Sequence, residues 1–170
     1  PMYLNNSEKF DLDLHAIIDV DDIDPEKVTK EALSAHKKYP HKRILVHYMQ
    51  PHYPFIADNT PMKADKKKGK QNIWNQLMEG EADVNPDNVR ESYHRNLWPV
   101  LKPVQMLINK IEGRVVVSAD HGNHLGERAY PISTIEWGHP QGVYTRKLVR
   151  IPWLVCQDGN RRTISENPVE

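Results

Sequence analysis

Apolar residues gather in four short runs: LHAIIDV (14–20), RILVHYM (43–49), RVVVSAD (114–120) and LVRIPWLVC (148–156). Each is rich in Val and Ile and lacks the strict polar alternation of a half-exposed strand. Continuous apolar strands are buried on both faces, the habit of parallel sheets covered by helices. The pattern therefore predicts an α/β fold with a mainly parallel sheet. His47, inside the second run, reads as a satisfied core histidine.

Between the runs lie helical signals. Asp24 before Pro25 is an N-cap followed by proline at the first helical position, and Val28, Ala32 and Ala35 then share one face up to about Tyr39. A second pattern starts at Asn85-Pro86 and carries Val89, Tyr93, Leu97, Leu101, Val104 and Ile108 before Gly113 closes it. Pro99 and Pro103 fall inside that pattern, and an interior proline costs about 3 kcal/mol, so a kink or two helices are expected. Residues 57–72, ADNTPMKADKKKGKQN, show no period and carry five lysines; they read as a basic, flexible, solvated loop. Gly122 to Gly142 reads as one long loop, a kind that tends to be functional.

Composition narrows the field. With 170 residues the chain fits one domain, 1–170, and its 23 basic and 23 acidic side chains create no global field toward nucleic acid or anionic membrane. No apolar run approaches the roughly 20 residues of a membrane span, and the opening PMYLNNSEKF lacks the layout of a signal peptide, so a cytoplasmic location is the default expectation. Cys156 stands alone, which excludes an intrachain disulfide. The chain begins at Pro1 in mid-phrase, as a piece of something longer would.

The candidate chemistry sits where the strands end. In open α/β sheets ligands bind outside the carboxyl ends of strands. The second run leads into Gln50-Pro51-His52-Tyr53-Pro54 and the third into Asp120-His121-Gly122-Asn123-His124. Gly122 permits a sharp turn that brings both Asp120 and His121 over one rim. An Asp oxygen with a His nitrogen suits Zn²⁺ or Mn²⁺, with Ca²⁺ left open. The bland alternative is a polar strand terminus in which Asp120 caps the next turn. Pro51 and Pro54 stiffen the turn around His52, which serves an imidazole with a task as well as a plain strand end. His139, between Gly138 and Pro140, is the loop histidine best placed to return to the rim.

The order QPHYPF, ESYHRNL, RVVVSADHGNHLGER, WGHP and VRIPWLV resembles the C-terminal half of the sulfatase-like branch of the alkaline phosphatase superfamily, which includes sulfatases, phosphoethanolamine transferases and lipoteichoic acid synthases. The likeness covers about residues 41–156. It implies an alkaline-phosphatase-like domain lacking its N-terminal part, and metal-dependent hydrolysis or transfer of a phosphate or sulfate ester. Carried over by position, Asp120 and His121 match the pair that ligates the metal, and His52 a histidine that contacts the anionic group or a second metal. His139 is similar to a later histidine of the transferase members.

The sequence also departs from that family. Its members take a Thr, Ser or modified Cys nucleophile and further acidic ligands from a segment before the PHYP histidine, and no Cys/Ser-x-Pro-x-Arg signature precedes His52. Cys156 lies in the last run and does not fill that role. In DVDDID (19–24), Asp24 serves better as a cap and the others as solvated charges. Asn123 stands where many relatives carry Glu. The chain is thus expected to supply part of an active site acting on an anionic ester, the alternative being a noncatalytic metal- or anion-binding module. Nucleic-acid binding through Lys66 to Lys70 is the weakest reading, since no aromatic residues interleave with the lysines. An open strand edge would favour a homodimer.

Overall fold

A computed structural model describes residues 14–57, 73–80, 85–128 and 134–166. The expected basic loop, 57–72, lies outside the described residues apart from Ala57.

The helical signals fold as their caps direct. Helix α1 spans Pro25–Lys38, with the Asp24 carboxylate accepting from the Glu26 N–H at 2.9 Å and Pro25 opening the first turn. After the short α2 (Ile73–Glu79), the proline-interrupted pattern resolves into two helices. Helix α3 (Pro86–Arg95) is capped by Asn85, whose side chain accepts from the Asp87 N–H at 2.8 Å; α4 is Trp98–Lys110, with Pro103 inside it. Thr29, Ala32 and Ala35 of α1 and Val100 and Leu107 of α4 are buried, and these two helices pack on one another.

The expected parallel sheet is not formed. Strand β1 (Gly113–Ser118) pairs antiparallel with β4 (Trp153–Asp158), placing Val115 opposite Cys156, Val116 opposite Val155 and Val117 opposite Leu154. Between them come β2 (His124–Arg128) and β3 (Ile135–Gly138), an antiparallel pair inside the stretch read as one long loop, and the helical turn α5 (Arg146–Val149). Among the described residues there are two two-stranded antiparallel sheets and no parallel one, so the alkaline-phosphatase-like α/β architecture is overturned.

Residues 14–20 and 43–49 carry no ladder. The second of these alternates between exposed and half-buried positions, with Leu45 at 96% exposure and His47 exposed rather than in the core. An apolar run signals that a segment can be extended and can be covered, but backbone hydrogen bonds need a partner that the run does not name. The last run likewise divides: its first residues belong to α5 and Pro152 precedes the strand, as a residue with no N–H to give must.

An aromatic-rich core joins the segments around the strand ends. Phe55, Ile73, Trp74, Val89, Leu125 and Trp137 form it, with Tyr53, Leu77 and Tyr93 packed against its margin. Rings meet edge to face, Tyr53 on Phe55 at 5.4 Å, Phe55 on Trp74 at 6.3 Å and Trp74 on Tyr93 at 6.1 Å, the arrangement that aromatic quadrupoles favour. The core thus ties the 53–57 segment, α2, α3 and the β2–β3 pair into one body. Gly126 makes a bulge in β2 at φ +83°, where a Cβ would lie 2.5 Å from the Trp137 ring and 2.6 Å from the Arg90 guanidinium. Arg90 donates to the carbonyls of Leu125 (2.6 Å) and Gly126 (3.2 Å) while lying over Trp137 at 5.5 Å, so it fastens α3 to the bulge.

Candidate functional site

Three histidines from separate segments converge. The His121 and His139 rings lie 4.2 Å apart between centroids, and those of His139 and His52 5.8 Å. Asp120 stands beside them, its Oδ2 3.7 Å from His121 Nε2. No parallel sheet brings them together. His121 leaves β1 through a turn in which the Asp120 carboxylate accepts from the His121 N–H at 2.9 Å; this capping bond coexists with the rim position. His139 follows β3 directly, because Gly138 is paired with His124 at the open end of the hairpin. The structure thus brings all four sequence-selected residues into one neighbourhood.

His52 is placed from behind by a residue the sequence reading passed over. Asn96 is fully buried. Its Oδ1 accepts from the Ile56 N–H (2.8 Å) and the Ala57 N–H (3.2 Å), and its Nδ2 donates to the carbonyls of Pro51 (3.3 Å) and His52 (3.1 Å). One amide therefore satisfies four backbone groups of the 51–57 turn, which contains cis peptide bonds before Pro51 and Pro54. Asn96 is also the C-cap of α3, a place where asparagine is ordinary, so its sequence position carries no separate signal.

The tautomers follow from the partners. His52 Nδ1 bonds the Tyr53 carbonyl, His121 Nδ1 the Gly122 carbonyl at 2.7 Å, and His139 Nδ1 the Asn123 side-chain oxygen at 3.1 Å. Carbonyl oxygens only accept, so in the neutral rings the proton sits on Nδ1 and Nε2 carries the lone pair, that of His121 with Asp120 Oδ2 3.7 Å away. Asn123 is itself oriented, since its Nδ2 donates to the His124 carbonyl at 3.4 Å. Anchoring the far nitrogen in this way fixes ring orientation and raises ligand basicity at metal centres.

Electrostatics agree with crowding. Partial desolvation lowers the pKa of His139 even though the residue reaches solvent, and the neighbouring His121 and His52 lower it further, against the opposing pull of Asp120. Burial holds the Tyr93 phenol above its usual range, and the negative charge of Asp120 adds to that.

The donor set can be tested against a cation. With metal–nitrogen bonds of about 2.0–2.1 Å in a tetrahedral site, two ligating imidazoles stand roughly 5 Å apart between ring centres, a value bracketed by the two separations here. Among the described residues no three His, Cys, Asp or Glu side chains already stand in coordinating geometry, so a bound ion requires rotation of these side chains. Asp120 and His121 are 54% and 32% exposed at the side chain, which leaves them room to turn. Among the described residues, no helix is long and apolar enough to cross a membrane.

No protein-family model, no curated protein and no solved structure matches this chain.

Proposed function

We propose that this chain supplies part of a site for metal-dependent hydrolysis or transfer of a phosphate or sulfate ester. Asp120 and His121 hold Zn²⁺ or Mn²⁺, and His52 and His139 face the anionic group of the substrate. The observation that supports this reading is the convergence of three imidazoles, each with Nδ1 anchored on a carbonyl oxygen and the lone pair left on Nε2, beside one carboxylate. A bound cation would polarise the ester oxygens. The residues themselves position the substrate: His52 and His139 line the side on which its anionic group would lie, and Asn123 keeps the His139 ring turned to that side. These four side chains offer no hydroxyl or thiol, so the nucleophile and further acidic ligands come from outside them.

Titration calorimetry with ZnCl₂ and with MnCl₂ tests the proposal, alongside turnover of p-nitrophenyl phosphate and p-nitrophenyl sulfate by the longest form of the protein that can be purified. Expected is near-stoichiometric uptake of one of the metals, abolished by Asp120→Ala. The absence of both binding heat and thermal stabilisation with either metal would overturn it. Metal or anion uptake without turnover would instead establish the second reading, a noncatalytic binding module, which the lack of a nucleophile among the four residues favours. Pairing of two copies along the open edges of β1 and β4 and a cytoplasmic setting belong to the same proposal; light scattering at two protein concentrations checks the first, and fractionation the second.

A further inference from the structure

A second constellation lies on the hairpin, built from residues the proposed site does not use. Thr145 is the residue before α5, in the N-cap position, yet its hydroxyl makes no capping bond. It meets His124 Nε2 at 2.9 Å instead. His124 is only 4% exposed, and its other ring nitrogen, Nδ1, is buried with no hydrogen-bond partner among the described residues. That nitrogen lies 3.8 Å from Glu127 Oε2. Glu127 is held in turn by the Leu125 N–H at 2.7 Å and by Lys147.

A polar nitrogen buried without a partner carries an energetic penalty, and the charge beside it is a carboxylate. The carboxylate favours the tautomer with the proton on Nδ1, which leaves Nε2 to accept from the Thr145 hydroxyl. The order is then hydroxyl, imidazole, carboxylate, with the hydroxyl at the partly exposed end and the imidazole behind it. Tyr144, its neighbour in the chain, and Val149, one helical turn on, are exposed. A purely structural clamp between hairpin and α5 is already provided by the Gly122 N–H to the Leu148 carbonyl (2.7 Å) and by Glu127 with Lys147, so it does not require a histidine at 124.

We propose that Thr145, His124 and Glu127 form an acyl-transfer site in which Thr145 is the nucleophile and the substrate is a neutral carboxylic ester. The charges of Glu127 and Lys147 cancel, so an anionic ester gains nothing there. In the first step Thr145 Oγ1 bonds to the ester carbonyl carbon while its proton passes to His124 Nε2. The tetrahedral adduct then breaks its bond to the alcohol oxygen, which leaves with that proton, and acyl-threonine remains. Water, giving a proton to the same Nε2, attacks the acyl carbon. Oγ1 departs, recovers the proton, and the carboxylic acid is released. This site stands independently of the metal reading.

The test uses the whole chain, without added metal, and p-nitrophenyl acetate. Expected are a burst of p-nitrophenolate and one acetyl group on the Thr145 peptide by mass spectrometry. Thr145→Ser retains both, Thr145→Val loses both, and His124→Gln slows acylation by about 100-fold or more, the range for loss of a general base. Equal acetylation of the wild type and Thr145→Val, or acetyl groups found on lysines alone, overturns the proposal. Melting curves identify any variant that fails to fold, and the Ser and Val pair at 145 decides the matter even where His124→Gln does not fold.

Discussion

The His121 and His139 rings sit 4.2 Å apart, tilted by 36°, although 17 residues of chain and a hairpin separate their backbones. Two imidazolium charges at that separation repel, so a cation shared between neutral rings or an anion between protonated ones relieves the contact. The anchoring of His139 on Asn123 makes the pairing testable. Asn123→Ala frees the ring and is expected to lower the affinity of the Zn²⁺-loaded protein for inorganic phosphate about 10-fold or more, the scale of one hydrogen bond to a charged group, because His139 no longer holds its face to the anion. His139→Ala is expected to lower it at least as much. Calorimetry on both variants reads the effect, and unchanged affinity in both would remove His139 from the site.

Asn96 supports the turn that carries His52. Asn96→Ala leaves two backbone N–H groups and two carbonyls of that turn without the amide, the Ala57 N–H in a buried setting and the other three partly buried. Orphaned buried groups cost about 1–3 kcal/mol each, with partial relief by relaxation, so a loss of at least about 2 kcal/mol is expected. Asn96→Asp keeps the two acceptor bonds and loses the two donated ones, and falls between. Urea denaturation measures both variants. Equal stability of Asn96→Ala and wild type would mean that the turn holds itself.

Gly122 tests the packing beside His121. A Cβ there would come within 2.0 Å of the Lys147 carbonyl oxygen, whose neighbour Leu148 accepts from the Gly122 N–H. No side-chain rotation relieves a clash with backbone, so Gly122→Ala must push the 145–148 turn away from the hairpin. The expected loss is roughly 2–4 kcal/mol, in the range of overpacking and broken backbone contacts. Thermal unfolding gives the loss, and hydrogen exchange at Gly122 and Leu148 shows whether this contact opened.

Local chemistry was legible where it is self-contained. Asp24-Pro25 and Asn85-Pro86 start helices because a side-chain acceptor and a proline satisfy the first turn without help from distant residues. The strand runs were legible in part: those at 114–120 and 148–156 contain β1 and β4, whereas the runs at 14–20 and 43–49 do not state which edge they pair with, and here they pair with none among the described residues. The β2–β3 pair was hidden by Gly126, whose bulge breaks the two-residue period, and by Arg128 and Glu127 on a strand with one buried end. His52, Asp120, His121 and His139 stood out because turn-forming Gly and Pro next to imidazoles mark places where backbone direction changes. Their meeting point is set by the aromatic core and Asn96, long-range contacts with no local signature.

The segment 161–166 offers a pH-dependent contact. Arg162 Nη1 donates to His36 Nδ1 at 3.1 Å and to the Pro40 carbonyl at 3.0 Å, while the Ser165 N–H donates to the His41 carbonyl at 2.9 Å, so this segment is tied to the end of α1. A nitrogen that accepts from a guanidinium carries no proton. Burial lowers the pKa of His36 and the Arg162 charge lowers it further, with Glu112 opposing both. The folded chain therefore binds this proton less readily than the unfolded chain, whose value is near 6.5. Stability from neutral His36 is fully present above that value and is lost as pH falls through the lower folded pKa. Wild type is expected to lose more stability than His36→Gln between neutral pH and mildly acidic pH. Melting temperatures of the two proteins across that window give the comparison, and imidazole resonances followed by NMR give the folded pKa directly. Parallel pH curves for the two proteins would show that protonation of His36 leaves the Arg162 contact intact.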